Sequence, residues 1–558
     1  MTTQAEDRAS RRGVLALLAV SPAAGLAGEA RAATTGTAIR SRAALANTDA
    51  EPGEVRFLDD GGRSGLFVRR AGPPPSADPL QGLFVSGGAG HWARHWDGVT
   101  GQAEWFGAVA DDSAADCGPA IEAALAACVR VQLHTGTYHC TAGIVSRLPG
   151  RKLIGAGIHF AGDARFVTQV LVRSATDDVF RMGPDRPPLA ADGSVAINAL
   201  HLDMLVEGIE FNRTVAPDKQ AQARGVVVQW CQDPTVRRTK SQDSIVDFAW
   251  EGTINLLMED CRATRARRGG GQGTDRHIGY RAVTGRRALT DINGNASARL
   301  VRCIAACTTA VPDSTGLLLD GRFTDHSIVE FETAQLAVGI HVVGSGGATD
   351  VGTNQSLRRN ANVEIVRPWI DQFASVGLRV EGLDKFGIVR VSGGYFGPLA
   401  DATACIYVLG CRGAVLLGGE MELAMASTAG RQCRGVLGVD ARRLSVGDGI
   451  TVMEPSFRAF DFANVADLRH RGATVNEQVV LQHHTLLSGS ATACVLAPAL
   501  SGAAGKVLAG VEIKGVATRC TVDVAAIDTA ALRGGVRLIV DGKPQGAGAF
   551  GAGNSLRA

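Results

Sequence analysis

Large rings are scarce in this chain: aromatic residues make up 5% of its 558 positions, with 6 Trp and 4 Tyr. That poverty argues against a large helical bundle or a few wide cores filled by aromatic side chains. Net charge is also scant, at +2. No whole-chain field therefore favours nucleic acid, and attraction to a charged partner has to be local. Beyond the first 33 residues no run of 18 uninterrupted apolar residues occurs, which excludes a membrane-spanning helix in the remainder. None of the 12 Cys stands at metal-site spacing from another with His nearby, so a zinc finger is excluded too.

What is abundant is glycine, 70 residues of it, which suits many tight turns between short strands. Eight stretches share one pattern, a small residue followed by alternating apolar positions. They begin at Gly225, Gly252, Gly279, Gly316, Gly339, Gly377, Cys405 and Gly435, between 23 and 38 residues apart. A fixed motif at such a period describes a coil that adds one rung per repeat and tolerates extra loop on some rungs. The expected class is all-β: a right-handed parallel β-helix with an N-terminal capping helix, a small β-rich N-terminal module and a β-rich C-terminal cap.

Residues 1–33 have the pattern of a twin-arginine signal peptide. Ser10-Arg11-Arg12-Gly13-Val14-Leu15 leads a short apolar run, and Ala30-Arg31-Ala32 offers a cleavage site. Such a leader implies export to the periplasm or the extracellular space. The Cys residues would then be free to pair, Cys303 with Cys307 and Cys405 with Cys411 being the tempting choices by spacing; the alternative is that they serve as small buried hydrophobes at solenoid corners. Residues 36–104 form the small β-rich module, set off by Pro73-Pro74-Pro75. The coil occupies 105–483, and the C-terminal cap 484–558, where composition shifts to Ala and Gly.

Where the coil begins, Trp105-Phe106-Gly107-Ala108 is followed by Asp111, Asp112 and Asp116, by an Ala-rich helical run over 119–128, and by Val131-Gln132-Leu133-His134-Thr135-Gly136-Thr137-Tyr138. Asp116 is placed to cap that helix, with Pro119 in its first turn. This order resembles the entry segment of the pectate-lyase-like superfamily, which includes rhamnogalacturonase-type enzymes and phage tailspike depolymerases. The resemblance implies a helix that plugs the N-terminal end of the β-helix, a polysaccharide substrate, and homotrimeric assembly as an open option. It brings no catalytic signature: the Asn-Thr-Asp, Asp-Asp and Gly-His-Gly strands of polygalacturonase-type hydrolases and the Asp-Pro-His-Asp run of alginate epimerases are missing. Trp369-Ile370-Asp371-Gln372 matches only part of a pectate-lyase Trp-Ile-Asp-His run.

Aligned repeats separate inward from outward positions, because side chains alternate along a strand. Tyr280, Leu317, Ile340, Leu378 and Ile406 form an interior stack. One residue on, Arg281, Leu318, His341, Arg379 and Tyr407 form an outward column, and two further on stand Val283, Asp320, Val343, Glu381 and Leu409. His341, Arg379, Asp320 and Glu381 are the catalytic candidates. Arg281, Tyr407, Asp275, His277 and Asp313 are the substrate-binding ones, with loops over 284–298 and 344–360 as walls. Two chemistries fit. β-Elimination from an acidic glycan needs Arg281 or Arg379 to neutralise a uronate and His341 or Tyr407 to take the C5 proton. Inverting hydrolysis needs two carboxyls about 6.5 to 9.5 Å apart, a role for Asp320 and Glu381 two rungs apart. Calcium would join if Asp313, Asp320 and Glu381 converged, since it takes hard oxygen ligands. A non-catalytic glycan-binding or surface-attachment protein is the alternative of another class.

Overall fold

The computed structural model describes residues 38–159, 167–191, 196–215, 223–265, 276–283, 295–320, 323–344, 362–399, 402–424, 433–453, 458–472, 474–475, 481–500, 507–528, 530, 532, 536–545 and 554–557. The signal-peptide pattern therefore lies outside the described residues. The chain falls into two units, Met1–Asp97 with Trp105–Gly107, and Gly98–Glu104 with Ala108–Ala558.

The first unit holds an antiparallel sheet in the order Val55–Leu58, Gly65–Ala71, Gly90–Arg94, Phe84–Gly87, with a short helix, Arg42–Ala46. Leu45, Leu58, Phe67, Val85 and Trp92 make its core. Arg94 is buried at its centre, yet every charged nitrogen finds a carbonyl: Gly82 at 2.7 Å, Ser64 at 2.9 Å and Arg63 at 2.7 Å. A buried cation persists only when satisfied in this way.

In the second unit a helix, Gly118–Ala127, turns Ala120, Ile121, Ala124 and Leu125 inward. Asp116 accepts from Gly118 N at 3.2 Å and from Thr141 N at 3.1 Å, and Asp111 accepts from Thr137 N at 2.8 Å. These carboxylates tie the helix and its flanking turns to the first strands.

A parallel coil follows, three strands to a rung, each pairing with its equivalent on the next rung. One rung runs Leu205–Glu207, Glu210–Arg213, Arg224–Gln229, and the next Thr235–Arg237, Lys240–Gln242, Val246–Glu251. The three faces are sheets A, B and C in that order. The coil does not stop at 484: Leu481–Thr492, Val507–Thr518 and Leu538–Val540 continue the ladder of sheet C in register. The expected C-terminal cap is β-rich as anticipated: the ladder runs on into it, and it ends in an antiparallel pair, Leu538–Val540 with Lys543–Pro544.

The small residue of the repeat marks a kink in sheet C. Ladder pairs flank it on every rung, as Val338↔Val376 and Ile340↔Leu378 flank Gly339 and Gly377. At the kink two successive residues face inward: a Cβ on Gly279 would lie 2.7 Å from Ala305 Cβ of sheet B, while the next residue, Tyr280, is fully buried. Glycine is needed there because sheets B and C close to contact. Gly252 does not belong to the series. It sits at a corner with φ +58, and the equivalent kink position on its rung is Asp247, between the pairs Val246↔Ile278 and Phe248↔Tyr280.

At the corner between sheets A and B the chain turns on one residue of positive φ, and these stack as Arg238, Asp260, Arg302, Glu330 and Arg367. Their charges alternate after Arg238: Arg302 bonds Asp260 at 2.7 Å and Arg367 bonds Glu330 at 2.6 Å. All 12 Cys are buried free thiols. Six of them, Cys231, Cys261, Cys303, Cys411, Cys494 and Cys520, directly follow a positive-φ corner residue. Each turns its sulfur back on the carbonyl two residues earlier, at 3.1 to 3.6 Å. Five of these carbonyls already accept a backbone N–H from a neighbouring rung, as Glu259 O does from Arg238 N at 2.9 Å, so the weak S–H donor adds a second bond to an oxygen that has two lone pairs. The pairings suggested by spacing, Cys303 with Cys307 and Cys405 with Cys411, are not made.

Candidate functional site

The parallel register of sheet C assembles most of the expected residues. Arg281, Leu318, His341, Arg379 and Tyr407 are successive partners in the ladder, and so are Asp320, Val343, Glu381 and Leu409. Arg379 Nε donates to Glu381 Oε2 at 2.7 Å, and its guanidinium stands 5.9 Å from the Tyr407 ring centroid. His341 Nε2 lies 3.3 Å from Glu381 Oε1, close enough for a charge interaction but without hydrogen-bond alignment. Arg281 approaches Asp320 at 3.6 Å. Burial lowers the His341 pKa, and the Arg379 charge adds to this against the opposing pull of Glu381. The imidazole is therefore neutral at neutral pH, the state a general base requires.

Two features restrict this patch. Its charges are spent on each other, two guanidiniums against two carboxylates. Its upper end is also covered, for Leu318 belongs to an apolar cluster with Val227, Ile245, Val246, Ala249 and Ile278 on which Val343 packs. The column points away from the coil interior but is not the open face that alternation alone implied.

Other candidates fall elsewhere. His277 is a correction: it is fully buried, its Nε2 2.9 Å from Asp247 Oδ2 and its Nδ1 3.4 Å from Cys307 Sγ. The kink is the reason, because two inward residues at Gly279 and Tyr280 reset the alternation and turn His277 inside, out of reach of a polymer. Asp275 lies outside the described residues, as does most of the proposed loop walls. Asp313 is exposed on the strand Ile304–Asp320. Among the described residues no three His, Cys, Asp or Glu side chains are placed to hold a metal ion, so Asp313, Asp320 and Glu381 do not form one calcium cage.

Sheet B carries a groove that the repeat analysis passed over. It has a volume of about 1010 Å³ and is lined by residues including Arg367, Trp369, Tyr395, Glu420, Glu422 and Thr451. Trp369, Tyr395, Glu422 and Thr451 are successive ladder partners. The Trp369 and Tyr395 rings stack with centroids 4.5 Å apart and planes 22° from parallel. Trp369 is nevertheless 53% exposed, so the stacked pair leaves an open aromatic face on the groove floor. The point that a Cβ on Gly397 would occupy lies 2.6 Å from the Tyr395 hydroxyl and 2.9 Å from Asp371 Oδ1. Phenol and carboxylate thus converge over a residue with no side chain. Burial first, then the charges of Asp371 and Glu422, raise the Tyr395 pKa, which keeps the phenol protonated between two carboxylates.

The same coil recurs in solved structures. The gp42 tailspike of Acinetobacter phage vb_AbaP_AS12 matches 78% of this chain and 74% of its own, at 12% identity and a TM-score of 0.52. A variant tailspike of E. coli bacteriophage HK620, solved in complex with pentasaccharide, matches 78% of this chain and 76% of its own, at 11% identity and a TM-score of 0.52. The fold is that of phage tailspikes. Identity this low carries architecture and nothing finer. No protein-family model matches the sequence, and no curated protein does.

Proposed function

We propose that this chain binds a polysaccharide along sheet B and cleaves it there. One observation carries the reading, the stacked and half-exposed Trp369–Tyr395 pair on the floor of an open groove. Sugar rings present apolar C–H faces that lie on aromatic rings, while hydroxyls seek polar rims such as Thr451, Glu420 and Glu422. A polymer bound across successive rungs would meet repeating positions at about 4.8 Å intervals.

Asp371 and Glu422 are the carboxyls for the chemistry. Glu422 is two rungs along from Trp369 and Asp371, about 9.6 Å of axial rise, and both act on the Tyr395 phenol between them. Inverting hydrolysis places a water between two such groups, one protonating the leaving oxygen and the other deprotonating the water. Asp320 and Glu381 suit that task less, since Glu381 is bound by Arg379 and Asp320 stands beside Arg281.

A second reading rests on its own observation. Neutral His341 beside the Arg379 guanidinium is a base next to a carboxylate anchor, the requirement for β-elimination from an acidic glycan. Incubation with a panel of acidic and neutral polysaccharides separates the two. Hydrolysis releases reducing ends without unsaturated uronate, whereas elimination produces the ultraviolet absorbance of that product. Binding without either would leave a glycan-attachment protein. Secretion, expected from the leader, fits a protein that meets polymers outside the cell. Trimeric assembly is tested by light scattering of the mature chain.

A further inference from the structure

We propose that the sheet B groove is selective for a glycan bearing free amino groups, a hexosamine polymer without N-acetylation; this rests on the reading of the groove as a glycan site. The argument is charge complementarity around an aromatic floor. Among the described residues that line the groove Arg367 is the one cation, and its guanidinium is already bound to Glu330 at 2.6 Å. Against it stand Glu420 and Glu422, both exposed on the lining, and half-buried Asp371 beside Tyr395. None of the three carboxylates forms an ion pair with a described residue. A uronate polymer would bring like charge to this surface, which opposes binding. A protonated amine brings the opposite charge, and it also gains from the open face of Trp369, since cations favour the faces of aromatic rings.

The positions suit a sugar rather than a bare cation. Trp369 and Tyr395 shelve adjacent rungs, and Glu422 continues the same column on the next. A pyranose lying on the shelf therefore directs its ring substituents toward Asp371 on one side and Glu420 and Glu422 on the other. An ammonium at the 2-position would exchange some of its water for carboxylate oxygens in a partly exposed groove. Such pairs are individually weak but act together here.

The test is calorimetric titration of the mature protein with three oligosaccharide hexamers: glucosamine, N-acetylglucosamine and galacturonate. The proposal predicts that the glucosamine hexamer binds on the order of tenfold more tightly than its N-acetylated counterpart. It predicts no measurable binding of the galacturonate hexamer. Glu420→Gln should narrow the gap between the first two, and Trp369→Ala should weaken both. Equal affinity for glucosamine and N-acetylglucosamine hexamers, with both lost in Trp369→Ala, would overturn the amine selectivity and leave the glycan groove standing. Preference for galacturonate would overturn the selectivity outright. Binding indifferent to Trp369→Ala, or no binding of any hexamer, would overturn the groove reading itself.

Discussion

Trp369 and Tyr395 stand on adjacent rungs of sheet B with ring centroids 4.5 Å apart, and the outer of the two surfaces they create is left to solvent. That shelf contributes little to holding the coil together, because Trp369 is 53% exposed. Trp369→Ala should therefore weaken oligosaccharide binding by about 1 to 2 kcal/mol, roughly five- to thirty-fold, while the melting temperature stays near that of the parent. Titration calorimetry paired with thermal melts checks both halves.

Asp371 and Glu422 are predicted to act on turnover far more than on affinity. Asp371→Asn and Glu422→Gln keep shape and hydrogen-bonding capacity but cannot transfer a proton as acid or base. Each should lower kcat by about a hundred- to ten-thousand-fold, well beyond any change in KM from the lost charge. A rise in KM at constant kcat would make the residue a binding contact only.

The sheet C patch gives the opposing prediction. With the chemistry on sheet B, His341→Ala should leave turnover within about twofold. Abolished turnover together with unsaturated uronate in the parent reaction would move the active site to His341 and Arg379.

One source of acid sensitivity lies in the C-terminal rungs. His470 and His484 are fully buried with ring centroids 6.0 Å apart, and Thr485 bridges them at 2.8 Å and 3.2 Å. Burial lowers both pKa values, that of His484 to about 4 and that of His470 well below its ordinary range. The folded pKa lies below the unfolded one, near 6.5, so the unfolded chain binds more protons as the solution is acidified. Stability is therefore full above about pH 6.5 and is lost as pH falls toward 4. Thermal melts across that window should show the decline, and His484→Asn should flatten part of it.

The interior has its own test. Gly377→Val would drive a Cβ within 2.9 Å of Phe396 Cδ1 and 2.6 Å of the Cys405 carbonyl, at the place where sheets B and C are pressed together. Overpacking of this kind costs about 1 to 3 kcal/mol, with strain against the backbone added. Urea unfolding of the variant should show at least that loss.

These sites differ in how openly the sequence declares them. The column Arg281, Leu318, His341, Arg379 and Tyr407 is legible because each member follows a small residue by a fixed two positions, and a parallel ladder preserves that offset. Asp247 hides one rung of the series, since a carboxylate occupies the kink where glycine is usual. His277 is misplaced by simple alternation because the kink puts two inward residues in a row. The sheet B shelf has no such marker. Trp369, Tyr395 and Glu422 come into line only through the ladder, and the corner ahead of them turns on Arg367, Gly393 and Gly419 without one repeated residue type. A lone Trp369-Ile370-Asp371 run could be noticed in the sequence, but its partners could not be found from it.

The most direct test of the central claim is a crystal structure of the Asp371→Asn variant soaked with oligosaccharide from a polysaccharide that the parent protein degrades. The account predicts a sugar ring lying on Trp369, with neighbouring units passing Tyr395 and Glu422. Sugar seated instead against His341 and Arg379 on sheet C, with the Trp369 shelf bare, would contradict it.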